Sequence, residues 1–327
     1  MALPESTYRL EGISPRAFQH PADRAATAAL RQIPYLDRVA RRLIELGYER
    51  ALRQAMLGSA VRLGQDQLPR IWVLEREVFH VLDLEDVPDL YLSQFPLANA
   101  VTFGSGRPVI VLNSELVRLL DADGMRVVIA HEAAHVLSDH VLYQTALVIL
   151  IQLGASARLP IFAGLPLLAI RTALLEWSRA AELSCDRAAA LVTRDPLAVC
   201  RALMTIAGGE AADELNLDAF MKQGLDYREK GSGLERLTRL FTHLNITHPM
   251  PVRRTHELLN WVRSGDYDRI TDGEYIRRGQ EPPLREEAEA AQDHYARRVR
   301  DAFKDVSDSV SDVGQQLGDW LARQQSR

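Results

Sequence analysis

Two histidines four residues apart enclose a glutamate in the string His131-Glu132-Ala133-Ala134-His135, and this pattern restricts the fold more than any other feature of the chain. On an α-helix, side chains at i and i+4 share a face one turn apart, so both imidazoles can hold a single Zn²⁺ at about 2.0–2.1 Å. Glu132 lies one step round the helix, within reach of a zinc-bound water without replacing it, and is the candidate general base. Zinc lowers the pKa of such a water towards about 7, and the proton that Glu132 takes can pass to the departing amine of a peptide. The reaction class is metal-assisted amide hydrolysis. Chance alone supplies the five-residue pattern in a chain of this length roughly two times in a hundred, so the surroundings must carry the rest.

A catalytic zinc site needs a third protein ligand and an open fourth position. The best candidate is Glu182, in the helix-like run Ser178-Arg179-Ala180-Ala181-Glu182-Leu183-Ser184-Cys185-Asp186-Arg187. Asp186, one turn on, can accept the spare N–H of a zinc-bound histidine and fix its tautomer. The competing reading pairs Glu182 and Asp186 with Arg179 or Arg187 on a solvated helix face. Cys185 is a further potential ligand. His140, five residues past His135, points away from the metal face of a regular helix; it is read as a surface or packing residue, as are His20, His80, His243, His256 and His294.

Around this helix the pattern is mostly helical. Residues 21–63 carry apolar side chains at helical spacing, such as Leu36, Val39, Leu43 and Leu46, and read as two or three amphipathic helices. Residues 70–74 extend into another. The period changes at Asp89: residues 90–92 read as a short strand, and 99–103 pair with 107–112 across Gly104-Ser105-Gly106 as a hairpin. Pro108 near the start of its strand suits an edge position. Asp121 caps the helix that carries the histidines, a helix from about 172 to 192 carries Glu182, and further helices run through Leu203 and from 234 to 259. The predicted fold class is α+β, predominantly α-helical, with a small antiparallel edge sheet.

The apolar segment 146–170 is interrupted by Arg158, Pro160 and Pro166; neither part reaches about 18 uninterrupted apolar residues, which favours a buried helical hairpin, with peripheral membrane contact as the alternative. After Trp261 the chain turns polar and rich in Gly and Pro, and from Val299 to Trp320 apolar residues recur at spacings of three and four. This predicts an amphipathic C-terminal helix that folds back, self-associates or docks a partner through 299–321. The expected division is 1–65, an N-terminal helical region; 66–262, the catalytic domain; 263–284, a polar linker; and 285–327, the C-terminal helix. A net charge of -5 in 327 residues gives no basic field for nucleic acid. Two cysteines, and an opening without a basic, apolar leader, predict a cytoplasmic protein, with a membrane-associated enzyme whose site faces the cytoplasm as the alternative.

Several motifs in order over about residues 85–262 resemble the HtpX-like and CAAX-prenyl-endopeptidase-related zinc metallopeptidases, which are gluzincins. Asn99-Ala100-Val101-Thr102-Phe103-Gly104 is similar to the family's Asn-Ala edge strand. The HExxH helix follows, then Glu182 and Asp186 as its Glu-x-x-x-Asp, then Thr247-His248-Pro249 with Arg254 as its His-Pro segment and downstream arginine. The resemblance implies one Zn²⁺ per chain, held by His131, His135 and Glu182, with Asp186 behind them. It also implies that His248 and Arg254 hold substrate or the tetrahedral oxyanion. An extended polypeptide would add itself alongside Asn99, Ala100, Val101 and Thr102, making the chain a zinc endopeptidase, with protein quality control as the setting that the resemblance implies. The alternative is an inactive metallopeptidase-like scaffold for protein or membrane binding. Gly124 departs from the family's acidic residue at the start of the metal helix, which predicts a weaker cap; Cys185 stands where a small alanine-like residue is common.

Overall fold

The computed structural model of the chain describes residues 8–32, 36, 40–41, 47–153, 167–226 and 250–281. In order these carry α1 (Pro21–Gln32), α2 (Tyr48–Ser59), β1 (Ala60–Arg62), α3 (Pro69–Val81), β2 (Asp89–Ser93), β3 (Ala100–Phe103), β4 (Val109–Asn113) and α4 (Ser114–Leu119). They continue with α5 (Ala122–Leu137), α6 (Val141–Leu153), α7 (Leu167–Thr193), α8 (Pro196–Gly208), α9 (Leu217–Asp226), α10 (Pro251–Arg263) and α11 (Asp266–Thr271). The fold is α+β and mainly helical. Proline opens α3, α8 and α10 at the first helical position, where its missing N–H costs nothing.

The strands form one sheet in the order β1-β2-β4-β3. The hairpin of β3 and β4 is antiparallel with Phe103 opposite Val109. Gly104 at its turn has φ +106°, and a Cβ there would come within 2.8 Å of the Arg107 carbonyl oxygen, so the turn needs glycine. Two features differ from expectation. β2 and β4 pair in parallel, and β1, inside the stretch read as helical, pairs with β2. The edge strand is β3, whereas β4 is central; Pro108 lies one residue before β4 and so removes no ladder hydrogen bond.

Strand periodicity divides the sheet's side chains between two cores. Leu90, Ala100, Ile110 and Leu112 join the main core with α3 and α5, while Tyr91, Phe103, Val109 and Val111 meet Met56 and Leu57 of α2. Thr102 therefore shares the α5-facing side of β3 with Ala100. α5 is buried from Gly124 to His135 save for Arg126 and packs against α3 and α7. Its cap is sound: the Asp121 carboxylate accepts from Gly124 N at 2.8 Å. A Cβ on residue 124 would meet Leu120 Cδ2 at 3.0 Å, so the glycine makes room for the capping turn, contrary to the weakened cap expected.

A second core joins α1, α6 and α7 through Ala26, Leu30, Leu147, Leu150, Leu174 and Trp177. The described start of the apolar 146–170 segment is thus packed inside the protein, while 154–166 lie outside the described residues. Among the described residues no single helix is long and apolar enough to cross a membrane; α5 and α6 together have the composition but meet at 106°. The stretch 263–284, expected as a loose linker, carries α11 with Tyr267 and Ile270 buried. Ile13 then pairs with Arg277, and Arg278 N donates to Gly12 O at 2.6 Å, tying the chain's beginning to this segment. Residues 282–327, with the predicted C-terminal helix, lie outside the described residues.

One buried acid stands apart from any chemistry. Glu75 of α3 is 1 % exposed, and among the described residues its Oε1 has no hydrogen-bond partner. Burial pushes its pKa up to about 8, with Asp89 adding to the rise and Arg76 opposing it. Folding therefore takes up a proton between the ordinary value of 4.5 and about 8. The stability this confers is complete below the unfolded pKa and is lost as pH rises through the folded one. Denaturant titrations should show wild type losing stability across that interval and Glu75→Gln losing less, with the variant more stable at pH 8 by about 1–3 kcal/mol.

Candidate metal centre

His131 and His135 project from one face of α5 towards α7, where Glu182 meets them from the neighbouring helix. His131 Nε2 lies 3.3 Å from Glu182 Oε2 and His135 Nε2 lies 3.4 Å from Glu182 Oε1. All three residues are 5 % exposed or less. The fit to zinc can be tested on these separations: four ligands at about 2.0–2.1 Å around a tetrahedral ion stand about 3.3–3.4 Å apart. Both imidazole-to-carboxylate separations match that value, and two histidines with one glutamate form a donor set known at catalytic zinc.

Asp186, one turn along α7, sits behind His131 with Oδ1 3.1 Å from Nδ1. Its other partner is Arg254 of α10, which grips it bidentately: Nε donates to Oδ2 at 2.8 Å and Nη2 to Oδ1 at 2.6 Å. Arg254 Nη1 also lies 3.2 Å from Glu182 Oε2. Burial opposes the charge on Asp186, but Arg254 and His131 outweigh it and hold its pKa below the usual carboxylate range. Burial likewise opposes charge on His131, yet Glu182 and Asp186 push its pKa up to about 9; at His135 burial prevails and the pKa falls. The solvated-face alternative fails here, because Arg179 pairs with Glu176 and Arg187 donates to Phe18 O.

Cys185 Sγ is the competing donor, since a donor atom of each of His131, His135 and Cys185 lies within 4.8 Å of the others. Its thiol is fully buried, and burial together with Glu182, Asp23, Asp186 and Glu132 pushes its pKa well up in the metal-free chain. Its recorded contact is with His140 Nδ1 at 3.9 Å, and His140 Nδ1 in turn lies 3.2 Å from His135 Nδ1. That is the Nδ1 side of the His135 ring, away from the Nε2 that faces Glu182, so geometry favours the carboxylate.

Glu132 is 1 % exposed, and the Thr102 hydroxyl donates to its Oε2 at 2.6 Å. A charge-assisted bond of this kind fixes the carboxylate's rotamer. The sequence presents Thr102 as one link of a main-chain edge; the period-2 placement of residue 102 on the helix-facing side is the signal for its side-chain part. The metal helix opens onto a cavity of ≈ 280 Å³ that starts at His131, Glu132 and Arg254 and is walled by Leu116, Val128, Val199, Leu203, Ile206 and Met250. Asn99 and Ala100 line its rim, and among the described residues β3 carries no strand on its outer side.

The predicted site residues thus come together at His131, Glu132, His135, Glu182, Asp186 and Arg254, with Asn99, Ala100, Val101 and Thr102 alongside. Arg254 differs from its expected part, because its guanidinium engages Asp186 and Glu182 instead of an open oxyanion position. His248 lies outside the described residues. His140 is a correction: it is 2 % exposed and touches His135. α5 ends at Leu137, Asp139 takes a left-handed φ of 55°, and the chain folds back so that His140 N donates to His135 O at 3.0 Å. The regular helix assumed for residue 140 does not exist there; the Ser138-Asp139 pair was the available signal, since Asp tolerates that conformation.

Residues 73–262 match the model of peptidase family M48. The chain is 38 % identical over 255 residues to the plastoglobule-localized metallopeptidase 48, chloroplastic, of Arabidopsis thaliana, an alignment covering 76 % of this chain and 73 % of that protein. No solved structure matches the chain.

Proposed function

Because the chain belongs to peptidase family M48 and is a zinc metallopeptidase, we propose that it is an endopeptidase that cuts extended polypeptides beside an apolar side chain, using one zinc ion per chain. The observation that carries this reading is the approach of His131 and His135 to Glu182 at 3.3 and 3.4 Å, with His131 and Glu132 lining an apolar cavity. When bound, zinc supplies the Lewis acidity that makes water acidic near neutral pH and polarises a peptide carbonyl. The protein's own groups do the rest. Glu132, its rotamer held by Thr102, takes a proton from the attacking water and returns it to the leaving amine. Asp186 orients His131, and Arg254 holds Asp186 ionised in a buried place and pairs with Glu182.

Substrate binding follows from the surroundings of this centre. The outer edge of β3 offers main-chain hydrogen bonds to an extended chain, and the adjoining cavity of ≈ 280 Å³ takes one large apolar side chain while excluding charged ones. An unfolded segment with exposed apolar residues satisfies both requirements, which is why we infer a part in protein quality control. A reducing compartment, the cytoplasm in our reading, suits Cys185 and Cys200, both free and buried. Peripheral membrane contact through 146–170 and self-association through 299–321 are further proposals; 154–166 of the first segment and all of the second lie outside the described residues.

The test is digestion of a reduced, unfolded protein by the zinc-loaded chain, with products identified by mass spectrometry. Internal cuts with Leu, Ile, Met or Phe beside the scissile bond are expected, lost with a chelator and restored by zinc. Trimming from one terminus only would overturn the endopeptidase reading.

A further inference from the structure

We propose that Asp23 and His140 are positioning residues for His135, so that the N-terminal helix α1 is a working part of the metal centre. This rests on the zinc reading above. His135 presents Nε2 to Glu182, which leaves Nδ1 to fix the ring. Its neighbour there is His140 Nδ1, at 3.2 Å. Two imidazole nitrogens at that distance share one proton. A ligand that offers Nε2 to an ion carries its proton on Nδ1, so His135 donates and His140 Nδ1 accepts.

His140 must then carry its own proton on Nε2, and that atom lies 3.2 Å from Asp23 Oδ2. The tautomers agree from the metal side outward to the carboxylate. Asp23 is wholly buried in the first turn of α1. An isolated carboxylate there would be strongly disfavoured, yet this one is supported: Ser184 Oγ of α7 donates to Oδ2 at 2.6 Å and Thr27 Oγ1 to Oδ1 at 3.2 Å. Trp177 locks the arrangement, with its Nε1 donating to Thr27 Oγ1 at 2.9 Å and its ring standing edge-on to His140 at 5.4 Å.

Each histidine of the pair thereby has its own acidic anchor. His131 reaches Asp186 of α7 directly, and His135 reaches Asp23 of α1 through His140. Outer partners of this kind set ring orientation and ligand basicity, and losing one weakens metal binding by about 10- to 100-fold. Nothing in packing alone calls for an acid, two hydroxyls and a histidine in the middle of the alanine- and leucine-rich core formed by α1, α6 and α7.

The experiment measures zinc affinity of the full chain by competition with a chromophoric chelator, for wild type, Asp23→Ala, Asp23→Asn, His140→Leu and His140→Gln. Asp23→Ala and His140→Leu should bind zinc about 10- to 100-fold more weakly. His140→Gln, whose amide oxygen still accepts from His135 Nδ1–H, should recover most of the loss. Should the harsher variants fail to fold, the near-isosteric Asp23→Asn in the zinc-loaded chain keeps the test open through the proton resonance of His135 Nδ1–H, which should shift from its wild-type position. Wild-type zinc affinity in folded Asp23→Ala and His140→Leu, or an unmoved resonance in Asp23→Asn, would overturn the proposal. Failure of wild type itself to take up zinc would instead overturn the zinc reading on which it stands.

Discussion

Glu132→Gln leaves the zinc content of the chain unchanged and lowers kcat/KM for peptide hydrolysis by about 10²- to 10⁴-fold. Gln has the shape of Glu, and its amide oxygen still accepts from the Thr102 hydroxyl that now binds Glu132 Oε2 at 2.6 Å, so the helix and its neighbours stay in place. What disappears is the capacity to take a proton from water and return it to the departing amine. Metal content and kcat/KM measured on one preparation separate the two effects. Variant activity within tenfold of wild type would move the base elsewhere.

Arg254→Ala destabilises the metal-free chain by about 3–5 kcal/mol, an unusually large cost for removing one side chain. Arg254 is 7 % exposed and is bonded to both oxygens of Asp186 as well as paired with Glu182. Deleting it leaves two carboxylates in the interior with His131 left to oppose them. Arg254→Lys restores little, because a point charge cannot reproduce the two-pronged grip on Asp186. Denaturant titration with and without zinc should show a smaller deficit in the loaded chain, where the ion neutralises Glu182. A loss below about 1 kcal/mol, the range of exposed pairs, would contradict the clamp.

Features legible in the sequence were those whose signal is local. The i, i+4 histidines fix a helix face, Glu182 and Asp186 repeat that spacing on a second helix, and Gly104-Ser105-Gly106 sets the hairpin between β3 and β4. Features set by distant partners were hidden. Three-residue β1 has no periodicity of its own and exists because β2 offers it an edge. Pro108 reads as an edge signal only until the strand is seen to begin one residue later. Residues 266–278 look loose by composition, yet Tyr267 and Ile270 find a core and Arg277 finds Ile13. His140 is hidden for a related reason: its role depends on where α5 stops, and Asp139 takes a left-handed φ just beyond that end. Asp23 lies 112 positions before His135, so no spacing argument connects them.

In our proposal Glu182, and not Cys185, completes the metal sphere begun by His131 and His135. X-ray absorption at the zinc edge of the loaded wild-type chain decides it. The arrangement predicts only nitrogen and oxygen neighbours, at about 2.0–2.2 Å. A sulfur neighbour at about 2.3 Å would place Cys185 on the metal and contradict the account.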